Sequence, residues 1–135
     1  MTEIKEYIYN ENEVRELYSS VGWRSYTDDM ETLRNGFAGS LTVLAAYDGG
    51  ELTGIIRAVG DGHTVLFIQD ILVRPDRQRQ GIGSALLKAV LDRYKIVRQT
   101  VLVTDDTEKT KAFYLSAGFA ESGQFGCCCF MRYKQ

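Results

Sequence analysis

Gln78-Arg79-Gln80-Gly81-Ile82-Gly83 is the stretch that decides the fold. It separates a long apolar run, residues 64–73, from a segment whose apolar residues recur at helical spacing. The start of a helix leaves backbone N–H groups unpaired and carries a partial positive charge, so it attracts anions. Gly81 and Gly83 lack Cβ, which allows left-handed backbone angles and a close approach of the backbone to a ligand. The stretch therefore predicts a turn that holds a pyrophosphate between a buried strand and a helix.

Three arginines surround this turn. Arg74, Arg77 and Arg79 lie near a single carboxylate, Asp76, in a chain of net charge -2. Guanidinium groups bind phosphate through paired hydrogen bonds. Two glycines at a strand-to-helix junction can also form only a tight turn. The arginines and the preceding strand favour the phosphate site.

The segments before the turn predict strands and helices in a mixed order. Asp48-Gly49-Gly50 is a hairpin signal between two apolar runs, and Thr27 is a candidate helix cap. The third apolar run is the longest, as expected of a central strand, and it ends at Arg74-Pro75. The predicted elements are strands at 4–9, 41–47, 52–59 and 64–73 and helices at 12–20 and 27–38.

The segments after the turn continue the alternation. A helix from Ile82 to about Val90 and a strand at 99–104 precede a helix at 107–117, which Gly118 ends. Two closing strands are expected at 120–124 and 127–133. The fold class is therefore α/β, more narrowly α+β, with a mixed, mostly antiparallel sheet flanked by about four helices. We expect residues 1–135 to form a single domain.

Composition excludes several other classes of protein. With 44% hydrophobic and 25% charged residues, the chain resembles an ordinary soluble globular protein. The acidic balance argues against nucleic acid as a partner, and no apolar stretch is long enough to span a membrane. The N-terminus lacks the pattern of a secretory signal, so we expect a cytoplasmic location. His63 lies in a predicted turn, where a structural or solvated side chain is expected.

The three cysteines, Cys127 to Cys129, are consecutive. On a strand they alternate between faces, a spacing that does not suit a tetrahedral zinc site. We interpret them as small strand residues near the end of a sheet, in a reducing compartment and without a bound metal; a redox or metal role is the alternative. They have no histidine beside them and are not candidate nucleophiles.

Two other phosphate-binding patterns fit poorly. A dinucleotide-binding fold requires three glycines early in a βαβ unit, whereas Ser84 stands where a third glycine would be expected and hairpins precede the turn. A Walker loop requires Gly-Lys-Ser/Thr, which is absent from the sequence.

Two motifs resemble the GNAT superfamily of N-acetyltransferases. Val73-Arg74-Pro75 with Gln78-x-x-Gly81-x-Gly83 looks like the family's acetyl-CoA loop, and residues 112–119, Ala-Phe-Tyr-Leu-Ser-Ala-Gly-Phe, resemble its later helix. The resemblance covers about residues 41–119. It implies the GNAT fold and acetyl-CoA as co-substrate. The implied cofactor-binding residues are Leu72, Val73, Gln78, Arg79, Gln80, Gly81, Ile82, Gly83 and Ser84.

The resemblance also implies roles in chemistry. Tyr114 occupies the general-acid position, facing the departing CoA sulfur, and an N–H near Leu72 would polarise the thioester carbonyl. The family often has asparagine seven residues before this tyrosine, but Thr107 stands here and is a candidate helix cap. From the residues themselves, Asp70 is the best-placed general base, because it interrupts an apolar strand and shares a face with Leu72. A purely structural carboxylate at this position is an open alternative.

Trp23 and Tyr26 lie in the region that lines the acceptor pocket in this family. They are candidate substrate-binding residues, and filling of the core is an equal alternative. The predicted function is direct transfer of an acetyl group from acetyl-CoA to a primary amine, either a small molecule or a peptide lysine, through a ternary complex. The alternative is a non-catalytic acyl-CoA sensor or partner-binding module on the same fold. The acceptor is open, and a homodimer is possible.

Overall fold

The computed structural model describes residues 1–134. They fall into two compact units, Met1–Val103 and the residues from Thr104 onward. That both belong to one domain stays a prediction. The elements of the first unit are β1 (Thr2–Glu6), α1 (Glu11–Ser20), α2 (Arg24–Thr27), α3 (Met30–Ala38), β2 (Thr42–Asp48), β3 (Glu51–Gly60), β4 (Val65–Val73), a 3-10 turn (Pro75–Arg77), α4 (Ile82–Arg93) and β5 (Gln99–Leu102).

The five strands form one sheet in the order β1-β2-β3-β4-β5. The first four are antiparallel neighbours, and β5 is parallel to β4. The β2–β3 hairpin turns at Gly49 and Gly50, whose φ angles of 60° and 84° are the left-handed values that glycine tolerates. The mixed, mostly antiparallel sheet with flanking helices confirms the predicted fold class.

Helices cover both faces of this sheet. On one face, α1 and α3 pack on the strands through a core that contains Tyr18, Phe37 and Leu72. On the other face, α4 buries Ile82, Leu86, Leu87 and Val90. A Cβ on Gly54 of β3 would lie 3.2 Å from Leu86 Cδ1 and 3.0 Å from the Leu72 carbonyl oxygen, so glycine lets α4 approach the sheet closely.

The second helix begins later than predicted. Thr27 does not cap it; Thr27 ends the short helix α2, and α3 begins at Met30. Asp29 is the cap, because its Oδ1 accepts from the Thr32 N–H at 3.2 Å and its Oδ2 accepts from the Thr32 hydroxyl at 2.7 Å. A carboxylate that accepts both donors satisfies the start of the helix better than one hydroxyl.

The second unit contains α5 (Glu108–Ser116) and a 3-10 turn (Ser122–Phe125). Thr107 caps α5 as predicted, accepting from the Thr110 N–H at 3.2 Å. The predicted strands at 120–124 and 127–133 are wrong for this structure. Local bonds such as Gly126 N–H to the Gly123 carbonyl, 3.1 Å, satisfy the backbone of the turn without a sheet. Strand propensity alone does not form a strand, because a strand requires a paired neighbour.

Among residues 1–134, no helix is long and apolar enough to cross a membrane. The same residues contain no group of three or more metal-ligating side chains arranged to hold an ion.

Candidate functional site

Among the helices of at least two turns, α4 begins differently from the others. Asn10, Asp29 and Thr107 each accept a backbone N–H at the start of α1, α3 or α5, and each of those helices has an acidic residue in its first turn. Within the described chain, α4 has neither a side-chain cap nor an acidic first turn. Its first N–H groups and the positive end of its dipole therefore receive no side-chain cap from the described residues, an arrangement that suits an anion.

The backbone of the turn before α4 is held in unusual angles. Gly81 caps the helix at φ 80°, which glycine adopts without strain. Arg79 has φ 66°, and it is the one non-glycine residue with positive φ among residues 1–134. Gly83 does not take a left-handed angle, because it lies inside the first turn of α4. A non-glycine residue in the left-handed region costs about 1–2 kcal/mol, and residues strained in this way are enriched at functional sites.

Strand β4 has an open edge beside this turn. β5 pairs with β4 only as far as Ile68, whereas β3 pairs as far as Val73. Arg74 donates its N–H to the Thr53 carbonyl at 2.8 Å. Because strand residues alternate in direction, the Leu72 N–H also points to β3, and those of Ile71 and Val73 point to the open edge.

Gln78 links the turn to β4. Its Nε2 donates to the Val73 carbonyl oxygen at 3.1 Å, on the side away from β3. The remaining predicted cofactor residues, Gln80, Ile82 and Ser84, lie in the turn or in the first residues of α4, and Ile82 is buried in the core. An open strand edge and an open helix start are therefore adjacent along the chain.

Two of the three arginines predicted to bind phosphate are already paired with carboxylates. Arg74 pairs with Glu16 at 2.8 Å, and Arg77 pairs with Glu51 at 2.9 Å and with Asp48. Arg79 is exposed and makes no ion pair to a described residue. The local positive charge that is not already paired with a described carboxylate therefore comes from Arg79 and the start of α4.

Asp70 lies at the centre of a buried polar cluster. It is 3% exposed, and its Oδ2 accepts from Arg57 Nε at 2.8 Å and from the Tyr18 hydroxyl at 2.9 Å. Its Oδ1 accepts from the Tyr26 hydroxyl at 2.8 Å. Gly36 leaves space for the Arg57 guanidinium, since a Cβ there would lie 3.2 Å from Nη1. Both carboxylate oxygens thus already have donors, one of them cationic.

Tyr26 connects this cluster to the surface. Its side chain is half-buried, and its hydroxyl also accepts from Gln69 Nε2 at 3.1 Å. Burial, followed by the charge of Asp70, raises the pKa of Tyr26. The Trp23 ring lies 6.2 Å from the Tyr26 ring and 5.8 Å from that of Tyr18. Tyr26 therefore contacts Asp70 directly, whereas Trp23 lies against the rings of the two tyrosines that bind Asp70.

In the second unit, Tyr114 is buried on α5 between two aromatic rings. The ring centroids of Phe113 and Phe119 lie at 5.0 and 5.8 Å from it in edge-to-face contacts. Burial raises the pKa of Tyr114, which keeps its hydroxyl protonated and able to donate. Its role toward the CoA sulfur stays a prediction.

The model of the acetyltransferase (GNAT) family matches residues 7–119. The chain belongs to the GNAT acetyltransferase family. A GNAT-family acetyltransferase of Streptococcus pneumoniae is 38% identical, with a TM-score of 0.90, over 100% of this chain and 99% of its own. A probable acetyltransferase of methicillin-resistant Staphylococcus aureus is 24% identical, with a TM-score of 0.78 over 98% of this chain and 100% of that one. No curated protein matches the sequence.

Other solved structures share the GNAT fold at lower identity. The ribosomal-protein-S18-alanine N-acetyltransferase of Escherichia coli is 22% identical, with a TM-score of 0.72 over 90% of this chain and 79% of its own. Family and fold together support acyl transfer as the class of activity.

Sequence reasoning missed three residues of this site. Arg57 interrupts the apolar run of β3 just as Asp70 interrupts that of β4, and two opposite charges in adjacent buried strands are a signal of a cross-strand pair. Tyr18 could not be recognised in this way, because apolar residues of the core have the same helical spacing. The role of Ile71 could not be predicted, because only the register between β3 and β4 shows which N–H groups face the open edge.

Proposed function

We propose that this GNAT-family protein transfers an acetyl group from acetyl-CoA to a primary amine by direct attack in a ternary complex. The observation that carries the proposal is the uncapped start of α4 next to the open edge of β4. The uncapped start of α4 can bind a pyrophosphate through its N–H groups. The open edge of β4 can pair with an extended arm that contains amide groups. Acetyl-CoA has both groups, and it supplies the acetyl as an activated thioester.

In this proposal the turn from Gln78 to Ser84 holds the pyrophosphate through backbone N–H groups, and Arg79 adds a free guanidinium. Val73 and Ile71, which is two residues earlier on the strand, offer N–H groups at the open edge of β4. One of these is the donor near Leu72 that polarises the carbonyl of the thioester. Leu72 itself supports this edge through its place in the core.

We place the acceptor amine at Trp23 and Tyr26. An amine of pKa about 10 is neutral in only about one molecule per thousand at pH 7, so a proton must leave before attack. Asp70 is the predicted base. Because Arg57 already pairs with it, its contacts favour a second role, in which it orients the Tyr26 hydroxyl toward the amine. Whether the acceptor is a small amine or a peptide lysine stays open, as does the cytoplasmic location.

Replacing Trp23 with alanine is expected to raise the KM for the amine about tenfold, through loss of roughly 1.4 kcal/mol of contact. The affinity for acetyl-CoA should stay within about twofold, since the turn is untouched. Trp23→Phe, which retains an aromatic ring, is the matched control and should keep most of the affinity. Steady-state kinetics on a responsive amine measures both constants. An equal loss of acetyl-CoA affinity in Trp23→Ala would place this residue in the core instead.

Tyr114→Phe is expected to lower kcat about 100-fold, as for the loss of a group that donates a proton or hydrogen bond to a leaving atom. The KM values should change little. Because burial raises the pKa of Tyr114, the hydroxyl remains protonated through pH 9, and the native rate should show no alkaline decline from this group. Phe113→Leu, at the neighbouring position, is the control for packing. A kcat of Tyr114→Phe within twofold of native would remove Tyr114 from the mechanism.

Thermal unfolding with acetyl-CoA tests the binding half of the proposal. A ligand at 100 times its Kd stabilises a protein by about 2.7 kcal/mol, which raises the Tm of a chain of this size by roughly 8 °C. CoA should act similarly, and acetate alone should not. An unchanged Tm at saturating acetyl-CoA would defeat the proposal.

A further inference from the structure

Gln69 makes a contact that a regular strand would not allow. Successive side chains of a strand point to opposite faces of the sheet, and the next residue, Asp70, faces α1 and α2. Gln69 nevertheless reaches the same side, because its Nε2 donates to the Tyr26 hydroxyl that in turn donates to Asp70. The register shifts by one residue here, which leaves Gln69 without a partner on β3. A β-bulge of this kind re-aims a side chain, and this one turns Gln69 toward Tyr26.

The buried ion pair fixes the direction of the hydrogen bonds that lead from it to the surface. Arg57 can only donate, and the ionised carboxylate of Asp70 beside it can only accept. The Tyr26 hydroxyl must therefore give its proton to Asp70, which leaves the phenolic oxygen to accept from Gln69. Only the amide nitrogen of Gln69 can donate, so this atom faces Tyr26 and the orientation of the amide is determined.

The carbonyl oxygen of Gln69 is the outermost atom of this chain of hydrogen bonds. The side chain is exposed, and its Oε1 accepts no hydrogen bond from a described residue. It belongs to the same planar amide as the nitrogen on Tyr26, so it lies beside the Tyr26 hydroxyl. Gln69 is also the first residue of β4 beyond the pairing with β5, which ends at Ile68. An oriented neutral acceptor therefore stands next to the aromatic rings of the proposed amine site.

We propose that Gln69 is a specificity-determining residue, whose carbonyl oxygen accepts an N–H of the acceptor and so selects primary amines over N-methyl amines. This role rests on the proposed transfer to an amine at Trp23 and Tyr26. In that transfer the nitrogen bonds to the acetyl carbon as the carbon–sulfur bond breaks, one amine proton leaves, and CoA takes up a proton as the thiol. A primary amine has a second N–H, which can remain on Gln69 throughout. A secondary amine loses its single N–H, so it cannot keep this bond.

Kinetics with phenethylamine and N-methylphenethylamine, whose ring suits an aromatic site, tests the selection. The native protein should have the higher kcat/KM for the primary amine. Gln69→Met should lower the ratio of the two kcat/KM values about five- to tenfold, as for one hydrogen bond between neutral groups. The KM for acetyl-CoA should stay within about twofold. Gln99→Met makes the same change at an exposed position of β5 and is the matched control. A native ratio of one or less, or an unchanged ratio in Gln69→Met, would overturn the proposal.

A double variant tests whether Tyr26 orients Gln69. Tyr26→Phe removes the oxygen that accepts from the Gln69 amide, so the preference for the primary amine should fall toward that of Gln69→Met. Adding Gln69→Met to Tyr26→Phe should then lower the ratio little further, because the two residues act through one chain of hydrogen bonds. Independent losses that multiply in the double variant would contradict this orientation.

The fluorescence of Trp23 separates a failure of this role from a failure of the proposed function. Trp23 is the only tryptophan of the chain, and its ring lies 6.2 Å from that of Tyr26. If no acetyl transfer occurs, the proposed function fails, and the Kd of phenethylamine for the CoA-bound protein still tests Gln69. This Kd should be about five- to tenfold higher in Gln69→Met than in the native protein. Equal Kd values, or no response of the fluorescence to the amine, would overturn the role of Gln69.

Discussion

Replacing Asp70 with asparagine is expected to lower the free energy of unfolding by about 3–5 kcal/mol, because the change leaves the Arg57 charge buried without a counter-ion. The side chains of this pair are 6% and 2% exposed, so water cannot replace the lost partner. Urea unfolding followed by circular dichroism measures the change. The expected loss is a large share of the stability of a typical domain, about 5–15 kcal/mol.

Two controls separate the buried pair from a general effect of the substitution. Asp92→Asn breaks an exposed pair with Lys88, whose side chain is 76% exposed, and should cost less than about 1 kcal/mol. The double variant Arg57→Met/Asp70→Asn removes both charges, so its cost should be smaller than the sum of the single costs, by roughly 1–3 kcal/mol. Additive costs, or a loss below 1 kcal/mol for Asp70→Asn, would contradict the account of this cluster.

The same variant decides the role of Asp70 in chemistry, at a temperature where it remains folded. If Asp70 is the base, Asp70→Asn removes the acidic limb of the profile of kcat/KM against pH. If Asp70 orients Tyr26, the profile keeps its shape and the rate falls at every pH. Tyr26→Phe should then produce a similar uniform fall.

Arg79→Glu is expected to weaken acetyl-CoA binding about 100-fold, since it removes one charge-assisted hydrogen bond and places a carboxylate beside the phosphates. The residue is exposed and has no ion pair to a described side chain, so the fold should lose little stability. Calorimetric titration measures the affinity. The loss should diminish at high salt, because the interaction is electrostatic.

Lys88→Glu is the matched control for Arg79→Glu. It makes the same change of charge on an exposed position of α4, away from the start of the helix. Its affinity for acetyl-CoA should stay within about twofold of native. Equal losses in both variants would indicate a general effect of net charge, and no loss in Arg79→Glu would move the phosphates away from this turn.

Most of the first unit could be predicted from local patterns. The hairpin at Gly49 and Gly50, the buried strand before Pro75 and the helix after Gly81 each depend on residues close in sequence. The boundary at Asp29 was missed because Thr27 was taken as the cap, and only the contacts with Thr32 identify Asp29, two residues later, as the cap. The strands at 120–124 and 127–133 were predicted from propensity, which contains no information about whether a partner edge is present.

The parts of the candidate site that depend on residues close in sequence could be predicted. The parts that depend on the register between strands could not. Gly81 indicates the start of a helix from the sequence alone. Only the pairing of β4 shows that the N–H groups of Ile71 and Val73 face the open edge. The unpaired charge of the turn was overestimated, since only Asp76 is near in sequence, whereas Glu16, Asp48 and Glu51, which also pair with Arg74 or Arg77, are distant. Asp70 was recognised as unusual, yet its three donors come from three other elements.

The most direct test of the central claim is the release of CoA thiol from acetyl-CoA in the presence of a panel of small amines and lysine peptides, with the products identified by mass spectrometry. The account predicts that at least one amine causes release well above the rate of hydrolysis, with one acetyl group gained by the amine for each thiol released. Tight binding of acetyl-CoA with no amine-dependent release on any member of the panel would contradict it and would favour the acyl-CoA sensor.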